Sequence, residues 1–135
     1  MRARMIRTVC VTLFLCFVLI AQPSVGRISV VRRPEGAYCG DYINLVKGRI
    51  FADAVSEQFD IWLDVFSEKY TCKNEKYIFD ERTKQMTIVG ATDPKDCLGK
   101  VLLDNGLSLA VSYAENENAL YLDLGLVNIK LSACV

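Results

Sequence analysis

The residues that could carry out chemistry in this chain are its carboxylates and cysteines, because none of its 135 residues is a histidine. Serine and cysteine nucleophiles usually rely on a histidine base, and zinc sites usually need histidine or closely spaced cysteines. No Gly-x-Ser-x-Gly motif, phosphate-binding loop, dinucleotide fingerprint or Cys-x-x-Cys pair occurs either. We therefore expect a protein that is not an enzyme and that needs neither a cofactor nor a metal.

Paired carboxylates are the catalytic arrangement that remains, and the segment 58–66 carries one such pair, Asp60 and Asp64. If this segment is a strand, the two carboxylates lie on one face about 13 Å apart. A glycosidase pair needs about 5 to 9.5 Å, so this spacing does not favour catalysis. A second pair, Asp93 and Asp96, is typical of residues that cap the start of a helix.

The segment 58–66 also contains the only tryptophan, on what should be the solvent face of a strand. Its apolar face consists of Phe59, Ile61, Leu63 and Val65. In one interpretation the opposite face is covered by a helix, and Trp62 belongs to a second layer of core. In the other, that face is an exposed binding patch formed by Asp60, Trp62, Asp64 and Phe66.

The first 26 residues have the form of a secretory signal peptide. A basic start precedes the apolar run 8–21, which is shorter than the about 20 residues that span a membrane. The small residues Ser24 and Gly26 stand where a signal peptidase cuts. We therefore expect a secreted single domain over residues 27–135 with no membrane span.

Cleavage would also change the charge of the protein. The 16 basic residues fall to 13 without the three arginines of the signal, against 16 acidic residues, which gives a formal net charge of −3. A mildly acidic protein has no electrostatic reason to bind nucleic acid. The expected partner is therefore an extracellular protein or another macromolecule.

Four cysteines follow the signal: Cys39, Cys72, Cys97 and Cys134. An even number in a small secreted chain predicts two disulfides. Four cysteines allow three pairings, and their spacing does not choose among them.

Period-two alternation of apolar and polar residues dominates the rest of the chain and predicts antiparallel strands. The strands and hairpins predicted in this way cover 27–33, 42–54, 58–66, 75–90 and 107–126. Residues 34–42 look turn-rich, because they contain a proline and two glycines. The apolar phase slips by one residue near Gly125, which predicts a β-bulge or a bend of the strand there.

The segment 94–104 breaks this pattern and predicts one short helix. Asp93 is a suitable N-cap, Pro94 a suitable first residue, and Gly106 a suitable residue after the C-terminus. Apolar residues recur at helical spacing along one stripe, which consists of Cys97, Leu98, Val101 and Leu102.

These elements predict a mainly β fold: a small antiparallel sandwich or partly closed barrel with one helix, held by disulfides. The chain looks short for eight strands. The leading functional hypothesis is a non-enzymatic extracellular module that binds another macromolecule.

Two other hypotheses stay open. The chain resembles lipocalin-like barrels in pattern only, being secreted, meander-like and disulfide-bonded, and it lacks their tryptophan near the start. That resemblance implies a carrier of small apolar ligands, whose cavity would be lined by Leu109, Val111, Leu122 and Leu124. The third hypothesis is an inhibitor of an extracellular hydrolase that acts through a loop such as 34–41.

Overall fold

Eight antiparallel strands close into a barrel in the computed structural model, which describes Gly26 and residues 30–134. The predicted signal peptide therefore lies outside the described residues, apart from Gly26. The elements are β1 (Gly36–Tyr42), β2 (Val46–Asp53), β3 (Gln58–Val65), β4 (Glu68–Phe79), β5 (Gln85–Ile88), α1 (Cys97–Asp104), β6 (Ala110–Ala114), β7 (Ala119–Asp123) and β8 (Asn128–Ala133). The predicted mainly β fold with one helix is confirmed.

Each strand pairs with its neighbours in the chain, and β1 pairs with β8 to complete the barrel. A closed barrel replaces the sandwich alternative, because the first and last strands pair with each other. The prediction that the chain is short for eight strands was wrong, since most of the strands have only four to eight residues.

Tight hairpins explain how so short a chain closes a barrel. β3 and β4 are joined by Phe66 and Ser67, whose φ values of 51° and 71° match a turn that follows the strand twist. Ile43 and Asn44 have similar φ values, 49° and 57°, between β1 and β2. The Phe66 amide donates to the Leu45 carbonyl at 2.9 Å, so the two hairpin tips lie side by side.

The core fills the interior of the barrel. Eight strands enclose a space that side chains can fill, and the inward residues of β3 are 2 to 4 % exposed, namely Phe59, Ile61, Leu63 and Val65. At Gly48 an added methyl group would lie 3.4 Å from Leu131 and 3.7 Å from Leu63. Side chains from β3 and β8 therefore pack over this glycine.

The helix completes the barrel wall. β5 is short and pairs with β4 only over Tyr77–Phe79, which leaves the first half of β4 without a strand on that side. α1 packs against this half of β4. Leu98 and Leu102 of the helix are fully buried in the barrel core. Within the described part of the chain, no helix is long and apolar enough to cross a membrane.

The helix begins at Cys97, three residues later than predicted. Asp96 is the N-cap, and its Oδ1 accepts from the amides of Leu98 and Gly99 at 3.1 and 3.2 Å. Asp93, the predicted N-cap, instead accepts from the Lys95 amide in the preceding turn. Either aspartate is a residue type that can cap a helix. Asp96 takes that role because its side chain faces the free amides of the first helical turn.

The first strand was predicted in the wrong place. Residues 30–33 of the predicted strand 27–33 are not in a strand, and 27–29 lie outside the described residues. The turn-rich segment instead contains β1, with Tyr38 fully buried. Gly40 is needed for close approach, because an added methyl group there would lie 2.1 Å from the Lys130 carbonyl of β8.

The prediction of a bulge or bend within one strand at Gly125 was also wrong. Gly125 has a φ of +86° and lies in a tight turn that separates β7 from β8. Its amide donates to Asp123 Oδ1 at 2.8 Å, and the Leu124 amide donates to the Val127 carbonyl at 2.9 Å. The slip in apolar phase therefore marks two strands rather than one bent strand.

The described residues form two disulfides, as predicted, and the fold selects their pairing. Cys39 is joined to Cys134, and Cys72 to Cys97. The first bond ties β1 to the residue that follows β8, where only two residue pairs close the barrel. The second ties the start of α1 to β4.

Candidate functional site

Three of the four predicted patch residues share the outer face of β3. Asp60, Trp62 and Asp64 alternate with the buried residues of this strand, and each is half-buried. Phe66 lies beyond the end of the strand, in the hairpin turn, and is 67 % exposed. The helix turns its apolar residues toward the barrel core, so it does not supply the cover suggested for Trp62.

On the neighbouring strands Trp62 stands beside one cation, Arg49, and beside Thr71, while Asp60 and Asp64 flank it along β3. Arg49 of β2 stands directly opposite Trp62 in the sheet. Its guanidinium carbon lies 5.6 Å from the centre of the indole ring. This is a cation–π contact worth about 0.5 to 1 kcal/mol at an exposed position. Asp64 is flanked by Lys47 on β2 and Lys69 on β4.

A groove of about 240 Å³ runs over this part of the sheet. Its lining comes from three adjacent strands and consists of Lys47, Gly48, Arg49, Trp62, Leu63, Asp64, Lys69, Tyr70 and Thr71. The Tyr70 hydroxyl donates to Glu68 and accepts from the Asn105 side chain at 3.3 Å. The hydrogen bond to Glu68 raises the pKa of Tyr70, so this hydroxyl stays neutral.

Five exposed cations lie along β2 and β4 on this side of the barrel: Lys47, Arg49, Lys69, Lys73 and Lys76. Among the described residues, none of these five has a carboxylate oxygen within 4.0 Å. Elsewhere on the described surface Arg32, Arg82 and Lys95 also lack such a pair, whereas four cations form one, namely Arg33, Lys84, Lys100 and Lys130. The charges on the β2–β4 side are therefore available to a partner.

Asp60 has a structural partner. Two residues of β4, Lys73 and Asn74, stand opposite this one residue of β3, which is the arrangement of a β-bulge. Asn74 has a φ of +56°, and its amide donates to Asp60 Oδ1 at 2.9 Å. The Asp60 carboxylate therefore stabilises the bulge, whereas Asp64 faces the groove.

The bulge also buries a carboxyl group that the sequence did not single out. After Asn74 the alternation of β4 changes phase, so Glu75 is only 4 % exposed. Burial, followed by the nearby charge of Asp96, raises the pKa of Glu75 to about 7. No local pattern could have shown this, because the phase depends on the bulge.

Glu75 lies beside the second disulfide. One of its carboxyl oxygens is within 4.8 Å of the sulfurs of Cys72 and Cys97. These sulfurs are bonded to each other, so they cannot act as thiolate ligands for a metal. Asp96 is engaged in capping α1. We interpret the buried Glu75 carboxyl beside the capping Asp96 as a structural feature rather than a metal or catalytic site.

The residues suggested for a ligand cavity lie in the barrel core. Val111, Leu122 and Leu124 are 1 to 2 % exposed and pack with the other core residues, and Leu109 is partly buried against them. The loop suggested for an inhibitor is not a loop, because most of the segment 34–41 belongs to β1. That segment was misjudged because its glycines serve close strand packing rather than a turn.

No protein-family model matches the chain, and no significant match exists among curated proteins or solved structures. The function is therefore inferred from the chemistry of the described surface.

Proposed function

We propose that the protein is a secreted, non-enzymatic module that recognises an extracellular macromolecule through the outer surface around Trp62. We call this surface the Trp62 face; it comprises Trp62, Asp64, Lys47, Arg49, Lys69 and Tyr70. The observation that carries the proposal is the position of the only tryptophan, which is half-exposed in a groove whose cations form no ion pair among the described residues.

The composition of the Trp62 face supports binding. Tryptophan, tyrosine and arginine are the residues that most often dominate the energy of a macromolecular interface. Arg49 already stacks on Trp62, so both side chains are partly ordered before a partner arrives. Because these side chains are ordered in advance, binding loses less side-chain conformational entropy.

The scaffold supports the same proposal. Three paired strands hold the face, and the Cys72–Cys97 bond ties β4 to the helix. A site on a sheet that is held by a disulfide keeps its geometry better than a site on a flexible loop. Two disulfides are also typical of proteins outside the cell.

The carrier and inhibitor hypotheses remain predictions with weaker support. The suggested cavity residues are packed together, and the suggested inhibitory loop is a strand. Displacement of a fluorescent lipid would revive the carrier hypothesis, and inhibition of a purified hydrolase would revive the other.

The test is binding of the labelled protein to extracellular matrix from its source, with the wild type compared with Trp62→Ala. We expect the variant to bind at least tenfold more weakly and to keep its melting temperature. Tyr121→Ala is the matched control, because Tyr121 is an exposed aromatic residue on β7, outside the face. Binding by Trp62→Ala equal to the wild type would contradict the proposal, and so would unfolding of that variant.

A further inference from the structure

We propose that the partner of the Trp62 face is an anionic polysaccharide, a chain of sugar rings that carries sulfate or carboxylate groups. This inference rests on the proposed function, because it names the class of macromolecule that the same face would bind. It is drawn from the central aromatic residue of the face and from the charge and spacing of five cations on β2 and β4, of which Lys73 and Lys76 lie beyond the face as defined.

Positive charge is concentrated on the β2–β4 side of the barrel. The expected mature chain carries more acidic than basic residues, yet five unpaired cations share the β2–β4 side of the barrel. Of the two acidic groups on the outer face of β3, Asp60 is occupied by the bulge amide. Asp64 lies between two lysines on the adjacent strands. The cluster of cations makes this side of the barrel attractive to a polyanion.

The spacing of these cations matches an extended ligand. The cations form two rows, with Lys47 and Arg49 on β2 and Lys69, Lys73 and Lys76 on β4. The row on β4 extends about 23 Å at the rise of a strand, and the rows lie about 10 Å apart with β3 between them. A single small anion would contact only part of this band. A chain with repeated negative groups would contact all of it.

Trp62 lies between the two rows of cations, on β3. An indole ring offers a flat apolar surface against which the C–H face of a sugar ring can stack, as aromatic rings do with other flat groups. The guanidinium of Arg49 can donate a pair of hydrogen bonds to a sulfate or carboxylate. Asp64 can accept hydrogen bonds from sugar hydroxyls.

Other polyanions would contact less of the Trp62 face than a polysaccharide would. An acidic peptide would satisfy the cations but offers no regular series of rings to the tryptophan. An anionic membrane is flat, and the apolar hairpin tips of Ile43, Leu45 and Phe66 are exposed at the end of the barrel rather than along the cationic wall. The combination of a central indole and two cationic rows favours the polysaccharide.

The experiment is a titration with heparin, a sulfated polysaccharide, followed through tryptophan fluorescence at low salt. Trp62 is the only tryptophan in the chain, so the signal comes from the face itself. We expect a saturable change in emission and an affinity that falls as salt is added, since binding a polyanion releases its counterions.

Variants show whether the cations of the face are responsible. Arg49→Gln combined with Lys69→Gln should lower the affinity roughly tenfold or more, because each change removes a charge-assisted hydrogen bond. Lys100→Gln combined with Lys130→Gln is the control, because it removes the same charge from lysines that are already paired. Equal losses in the two double variants would overturn the proposal.

Two further probes separate the classes of polyanion. Polyglutamate carries the charge without the rings, and vesicles of phosphatidylserine and phosphatidylcholine present an anionic surface. We expect both to bind at least tenfold more weakly than heparin. Comparable binding of either probe would overturn the assignment to a polysaccharide.

Matrix treated with a polysaccharide lyase distinguishes failure of this inference from failure of the proposed function. Loss of wild-type binding after lyase treatment is the expected result. Binding that survives the lyase, is lost after protease treatment and still depends on Trp62 would overturn only the polysaccharide. Trp62-independent binding to untreated matrix would overturn both proposals.

Discussion

Replacing Glu75 by glutamine should make the protein more stable at neutral and alkaline pH. In the folded protein this carboxyl is buried beside Asp96, which raises its pKa from 4.5 to about 7. Below pH 4.5 it is protonated in both the folded and the unfolded chain, and its full contribution to stability is present. As the pH rises through 7, the folded protein must also lose the proton, and that contribution disappears.

The size of the effect follows from the two pKa values. A change from 4.5 to about 7 corresponds to about 3 kcal/mol, at 1.36 kcal/mol for each pH unit. The carboxyl lies in the wall of an open groove that also contains Lys73 and Lys76. Water and these lysines screen the charge, so we expect about 1 to 2 kcal/mol. Glutamine imitates the protonated carboxyl and can still donate to Asp96.

The assay is thermal unfolding of the wild type and Glu75→Gln between pH 4 and pH 8. At pH 4 the two melting temperatures should agree, whereas at pH 8 the variant should melt roughly 5 °C higher. Asp41→Asn is the matched control, because Asp41 is exposed on β1, a strand that does not pair with β4. A constant difference between wild type and Glu75→Gln across this range, or a less stable variant at pH 8, would refute the reasoning.

Two further predictions concern the scaffold. Asp60→Ala should lower the free energy of unfolding by about 1 kcal/mol, because the bulge amide loses its acceptor, whereas Asp64→Ala should change it by less than about 0.5 kcal/mol. Urea denaturation measures both, and equal effects would show that the bulge contact is unimportant. Replacing Cys39 and Cys134 together by alanine should cost about 4 to 5 kcal/mol, because their bond closes a loop over a sequence separation of 95 residues. Denaturation of the double variant without reductant tests this, and a loss below about 1 kcal/mol would contradict the expected role of the bond in closing the barrel.

Local patterns were sufficient for much of the fold. The inward and outward residues of β3 were predicted correctly, because alternation along a strand depends only on that strand. The polar turns before β5 and before β7 were also predicted correctly, since turn residues act over four or five positions. The buried pair Leu98 and Leu102 followed from helical spacing.

Features that depend on partner strands could not be predicted in this way. Glycine in residues 34–42 indicated turns, but in the folded protein it lets β8 approach β1 closely. Asp93 was predicted as the N-cap, but in the folded protein Asp96 caps the helix. The bulge at Asn74 changed which residues of β4 face inward and so buried Glu75.

The sequence by itself determined that the chain is mainly β, that two disulfides are expected, and that Trp62 faces away from the core of its own strand. These properties follow from composition and from contacts between residues near one another in the chain. Only the tertiary structure decided that Arg49 stacks on Trp62, that unpaired cations lie on both sides of it, and that the barrel closes between β1 and β8. The register between strands sets these contacts, and register depends on turn geometry and on packing across the whole barrel.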